Sequence, residues 1–150
     1  MVNIAELAAE LIEDEGVRLV VYDDATGLPL RPGMVCKGHP TIGIGRALDV
    51  RGITHEEGTY LCGNDITAVV AQLDAALPWF ETLDDVRATV LANMSFNLGT
   101  AGMLGFHSML TFVEAGKYDF AADAMQQSKW AGEVGPRATR LVARMRTGIA

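Results

Sequence analysis

Cysteine is almost missing from this chain, with Cys36 and Cys62 the only two. A small fold that depends on disulfides carries more, so both are expected as free thiols, Cys36 in a loop and Cys62 as a small core residue. The three histidines, His39, His55 and His107, share no metal-ligand spacing with them. Neither a metal site nor a cofactor is therefore expected. Cations are also scarce: 12 Lys and Arg stand against 19 Asp and Glu, a net charge of −7. A nucleic-acid binder needs a basic footprint, which excludes nucleic acid as a partner. The basic residues that do occur cluster late, as Arg137, Arg140, Arg144 and Arg146. No cationic region precedes an apolar run at the N-terminus, which instead carries Asn3, Glu6, Glu10 and Glu13. Neither a signal peptide nor stable membrane insertion is expected. Repeats, low-complexity stretches and linkers are missing too, and 150 residues imply one domain; a monomer is expected.

What is present is an ordered series of helix and strand signals. Asn3 and Glu6 make a cap for a first helix, 3–14, whose Ile4, Leu7, Ala8, Leu11 and Ile12 share one stripe. Gly16 is its stop. The β-branched and aromatic run Val17–Tyr22, a turn-rich stretch and Thr41-Ile42-Gly43-Ile44-Gly45 predict a small antiparallel sheet of two or three strands. Thr54-His55-Glu56-Glu57 is a capping box for a long helix that Pro78 ends. From Thr82, read as the cap of the next helix with Asp85, the chain is helical: through Gly99, then Phe106–Val113, Tyr118–Trp130 and a last helix after Gly135-Pro136. Met94, Met109 and Met125 are expected in the core. The fold class is α+β, mostly α.

One stretch carries chemistry. Glu15 falls at the C-terminus of the first helix, where the macrodipole disfavours a carboxylate, as suits a proton donor. Asp23 and Asp24 follow the first strand, and Thr41 opens T-I-G-I-G. Two carboxylates and a hydroxyl on one wall are what glycosidic-bond hydrolysis requires. The competing reading makes Glu13, Asp14 and Glu15 a solvated acidic patch.

The string E-G-V-R-L-V-V-Y-D-D followed by T-I-G-I-G closely resembles the phage lysozymes, the endolysins of glycoside hydrolase family 24. Asp24 follows Glu15 by nine positions, as in that family, whereas Asp23 does not match. Thr41 lies 17 positions beyond Asp24, further than the family spacing, which marks residues 28–39 as an insertion. Leu83–Arg87, Phe96–Gly99, Gly105-Phe106, Ser128-Lys129-Trp130 and Pro136-Arg137-Ala138 extend the resemblance in order through the rest of the chain.

The resemblance implies a single lysozyme-like domain: a sheet lobe about 15–53, a connecting helix about 54–77, and a helical lobe about 78–150 that includes the N-terminal helix, with the substrate cleft between lobes. It implies bacterial peptidoglycan as partner, cut between N-acetylmuramic acid and N-acetylglucosamine. Glu15 would be the general acid, with Asp24 and Thr41 positioning water. Gly45, Phe96, Asn97 and Arg137 would contact substrate, Arg137 also pairing with Glu15. Core packing competes as the reading for Phe96. A salt bridge is expected between Arg46, directly after T-I-G-I-G, and Asp65 on the long helix. The implied location is the host cytoplasm, with release to the wall by a separate membrane-permeabilising protein. Two alternatives stay open: a lytic transglycosylase, which needs one acid/base only, and a non-catalytic glycan-binding protein.

Overall fold

The computed structural model describes residues 2–150. Helix accounts for 64% of the chain and the remainder includes one three-stranded antiparallel sheet, which makes the fold α+β and mostly α. Its contacts divide it into two compact units, Met1–Gly58 and Thr59–Ala150.

The first unit opens with α1 (Ile4–Glu15), where the Asn3 side chain accepts the Glu6 N–H at 3.3 Å. Gly16, at φ 70°, ends it and returns its N–H to Ile12. That turn needs glycine, because L side chains avoid positive φ. None of the residues of α1 is buried, and contacts place this helix in the first unit, whereas the resemblance implied the helical lobe. Strand β1 (Arg18–Asp23) pairs antiparallel with β2 (Pro40–Gly43), aligning Tyr22 with Thr41 and Asp23 with Pro40. Strand β3 (Arg46–Ala47) adds to β2, with Ile42 opposite Arg46. Only Thr41–Gly43 of the T-I-G-I-G segment is strand. Its second half is the hairpin turn, with Gly43 and Gly45 at φ 68° and 65°. The glycines there serve the turn.

The insertion folds back on the sheet. Leu30 donates its N–H to Val21 at 2.9 Å, Asp23 donates to Leu28 at 3.0 Å, and Tyr22 bridges Pro29. A short helix, α2 (Leu48–Arg51), packs on β2 and β3. The long helix α3 (His55–Ala76) starts here and continues into the second unit. Its capping box is complete: Glu57 N–H reaches Thr54 Oγ1 at 3.1 Å and Thr54 N–H reaches Glu57 Oε2 at 2.7 Å.

The second unit holds the hydrophobic core. Leu73, Leu91, Met94, Met103, Met109, Met125, Leu141 and Met145 are essentially inaccessible. Unbranched Met fills the irregular gaps between short helices. These are α4 (Asp85–Leu98), α5 (Thr100–Leu104), α6 (His107–Glu114), α7 (Tyr118–Gln126), α8 (Lys129–Val134) and α9 (Pro136–Thr147). Three sequence expectations are corrected here. Asp84, whose side chain accepts the Arg87 N–H, caps α4, while the Thr82 hydroxyl closes the preceding turn onto Trp79. Tyr118–Trp130 is two helices, because Ser128 caps α8 through the Ala131 N–H. Both cysteines are free; Cys36 lies in the insertion as expected, but Cys62 is exposed on α3 rather than in the core.

Candidate active site

In the first unit the only fully buried side chains among the described residues are Asp23 and Thr41, each 3% exposed. Both are polar, so hydrogen bonds must satisfy them. Asp23 is satisfied by the insertion. Its Oδ2 accepts the Lys37 N–H at 2.8 Å, and its Oδ1 accepts the N–H groups of Gly38 and Ala25 at 3.0 Å each. The Lys37 N–H, with those of Gly38 and Ala25, holds the Asp23 carboxyl below the usual range against the opposing effect of burial. The unmatched acid of the pair is thus the clasp that closes the insertion.

Asp24 has a different attachment. Its Oδ1 accepts the His39 N–H at 2.6 Å, and its own N–H donates to the His39 carbonyl at 3.1 Å. The Thr41 hydroxyl donates to that same carbonyl at 3.1 Å. A carboxylate and a hydroxyl 17 positions apart in sequence are therefore both tied to the backbone of one residue. Gly38 permits the approach, since a Cβ there would overlap Asp24 Oδ1 and lie 2.9 Å from the Ala25 nitrogen.

Glu15, the last residue of α1, turns its carboxylate onto the β2–β3 hairpin. A Cβ on Gly45 would sit 3.5 Å from Glu15 Oε2, and Gly45 holds φ +65°. Gly45 thus forms the floor beneath the carboxylate. Glu15, Asp24, Thr41 and Gly45 all belong to this unit. The His39 ring faces outward, its Nδ1 2.9 Å from Asp49 Oδ2 on α2. The hydrogen bond to Asp49, then the Asp49 charge, raises the His39 pKa, and the Asp24 charge adds to this.

The other sequence candidates lie in the second unit. Phe96 is 46% exposed and lines a groove of ≈ 550 Å³ with Ile66, Val70, Asn93 and Arg137. Core packing does not describe it. The Arg137 guanidinium is held by Asn93, from Nε to Oδ1 at 2.9 Å and from Nη2 to the carbonyl at 3.0 Å. Asn97 Oδ1 accepts the Trp130 indole N–H at 2.8 Å, which joins α4 to α8.

Four residues with a part in this arrangement escaped the sequence reading: Asp23, His39, Asp49 and Asn93. Asp23 carried one signal, an acid directly before a turn-rich insertion full of free backbone N–H groups. The His39–Asp49 and Asn93–Arg137 contacts join residues 10 and 44 positions apart, and no local pattern marks them.

The model of the phage lysozyme family matches residues 12–147. The pre-baseplate central spike protein Gp5 of Enterobacteria phage T4 is 28% identical over 170 residues, covering 95% of this chain. This chain spans only 28% of the length of that spike protein. Probable T4-type lysozyme 1 of Dictyostelium discoideum is 24% identical over 153 residues, covering 90% of both chains. With a matched span from the last turns of α1 to the end of α9, this chain belongs to the phage lysozyme family.

Proposed function

We propose that this chain is an endolysin-type muramidase, hydrolysing the β-1,4 bond between N-acetylmuramic acid and N-acetylglucosamine in bacterial peptidoglycan. Family membership supports the peptidoglycan-hydrolysing class. The observation that carries the mechanism is the attachment of Asp24 and Thr41 to one residue, His39. Two oxygen groups anchored to one residue are, in this reading, the seat of a water molecule. In this reading Glu15 protonates the bridging oxygen, while Asp24 deprotonates and aims the water that Thr41 helps to hold. Asp24 also offsets the positive charge that develops on the sugar ring. Gly45 keeps the wall beside Glu15 low, and Phe96, Asn97 and Arg137 are further substrate contacts in this reading. The chain acts as a single lysozyme-like domain and as a monomer.

Among the described residues no helix is long and apolar enough to cross a membrane. Accumulation in the host cytoplasm, followed by release through a separate membrane-permeabilising protein, is the delivery we propose. Carriage on a phage particle is the second reading, favoured by the likeness to a central spike protein.

Purified protein added to outer-membrane-permeabilised bacteria tests the reading. Wild type is expected to clear the suspension, and Glu15→Gln to lose at least a hundredfold in rate at unchanged thermal stability. Mass spectrometry of the fragments should show reducing ends; anhydro ends would make the protein a lytic transglycosylase. A wild type that binds peptidoglycan without cutting it would leave the glycan-binding reading instead.

A further inference from the structure

The His39–Asp49 contact is the one ionisable pair attached to the candidate catalytic groups that the proposed mechanism does not use. His39 ends the insertion. Its backbone N–H and carbonyl take up Asp24 and Thr41, as described above. Its side chain reaches the opposite way, to Asp49 on α2, a helix that itself packs on β2 and β3. The segment 36–39 is therefore fastened at three places: by Asp23 at Lys37 and Gly38, by Asp24 at His39, and by Asp49 at the imidazole. Only the last of these fixes the side chain, and through it the rotation of the residue whose backbone carries both the carboxylate and the hydroxyl.

We propose that His39 is a positioning residue: tied to Asp49, it sets the orientation of the backbone groups that hold Asp24 and Thr41, and so the geometry of the water seat. This rests on the hydrolase reading above and adds a control on the same site. The tie is strongest when His39 is protonated and Asp49 ionised, because a charge-assisted hydrogen bond is stronger than a neutral one. The charged or titratable groups on the elements packed against it are Asp49 and Arg51 on α2, Asp23 at the end of β1, Asp24 directly after it, and Cys36 and Lys37 in the insertion. Arg46 on β3 is engaged by Glu57. Asp49 and Asp24 favour the imidazolium, so the tie is strongest below the raised His39 pKa and weakens as pH rises through it.

Two measurements on the intact chain decide this. The first is NMR of the His39 imidazole, the Asp24 carboxyl carbon and the Thr41 methyl over roughly pH 5 to 9. In wild type all three should move with one midpoint. In His39→Asn, where the amide still donates to Asp49 but cannot titrate, Asp24 and Thr41 should be flat. In Asp49→Ala the Thr41 response should vanish although His39 still titrates, whereas a through-space charge effect would persist. The second is turnover. His39→Ala and Asp49→Ala should lower kcat about ten- to a hundredfold with little change in KM, and His39→Asn should restore kcat without the alkaline decline. Asp24 and Thr41 signals indifferent to His39 ionisation, or a Thr41 response that survives Asp49→Ala, would overturn the proposal. Coupled signals in a protein that does not cut peptidoglycan would instead sink the hydrolase reading and leave the coupling standing.

Discussion

Arg46 meets Glu57 with both arms of its guanidinium, Nη2 to Oε1 at 2.7 Å and Nη1 to Oε2 at 2.9 Å. Nη1 also donates to the Gly52 carbonyl at 2.9 Å. The sequence reading expected a salt bridge from Arg46 to Asp65, two turns further along α3. Glu57 takes the place because the capping box fixes its carboxylate at the start of the helix, beside the chain leaving β3. The preformed acceptor wins over one further away.

Arg46→Lys should therefore lower Tm modestly, since an ammonium cannot reproduce the two-armed contact and both partners are partly exposed. The pH dependence has a definite sign. The Thr54 N–H, and then Arg46, hold the Glu57 carboxyl below its ordinary 4.5. Its contribution is present above that value and is lost as pH falls through the lowered one. Thermal melts of both proteins should differ at neutral pH and converge in acid. A gap unchanged down to strongly acidic pH would contradict this.

Asp23→Asn should loosen the insertion without touching Asp24 directly. An amide offers one acceptor oxygen where the carboxylate offers two, and its NH₂ group faces backbone donors. Trypsin provides the readout at the Lys37–Gly38 bond, whose two N–H groups Asp23 holds. Wild type should resist cleavage there at neutral pH and the variant should be cut. The Asp23 carboxyl is held below its ordinary 3.8, so the ordering it supplies is retained above that value and lost as pH falls through the lowered one. Equal protease resistance in the two proteins would show that the strand contacts at Leu28 and Leu30 suffice.

Stereochemistry tests the role given to Thr41. An enzyme that places water between sugar and base inverts the anomeric centre and separates its carboxyl groups by about 6.5–9.5 Å, against about 5–5.5 Å when a carboxylate attacks directly. The first product from the β-linked substrate should be the α-anomer, seen by proton NMR in early turnover. Thr41→Glu would put a carboxylate where the water sits, and should trap or redirect the sugar. An initial β-anomer would make Asp24 or another group the nucleophile and remove the water seat.

The thiols should behave as two independent groups. Reductant is expected to leave Tm unchanged. Cys62, exposed on α3, should react first with a disulfide reagent. Cys36 should lag, because burial, followed by the charge of Asp23, pushes its thiol pKa up and its Sγ–H donates to the Gly38 carbonyl at 3.4 Å. Mass spectrometry of the singly labelled protein would identify the faster site, and early label on Cys36 would contradict this order.

The sequence alone determined what depends on neighbours three or four positions apart. The Asn3 and Thr54 caps, the Gly16 stop, the order of helices and sheet, and the burial of Met94, Met109 and Met125 all follow from short-range pattern and apolar periodicity. Its resemblance to the phage lysozymes singled out Glu15, Asp24 and Thr41 as candidates. Local pattern misjudged the T-I-G-I-G segment, whose last two residues make a turn, and chose Thr82 over Asp84 as a cap, because each residue alone suits either place. Tertiary structure decided everything that depends on the path of the insertion. Whether Thr41 could share an anchor with Asp24 across 17 positions, and what Asp23 was for, were fixed only when residues 28–39 folded back onto β1, and which acid Arg46 would meet was fixed by the chain path from β3 to the capping box of α3. Buried carboxylates must find donors wherever the chain can bring them. In this unit the nearest donors were the backbone N–H groups at the far end of the loop.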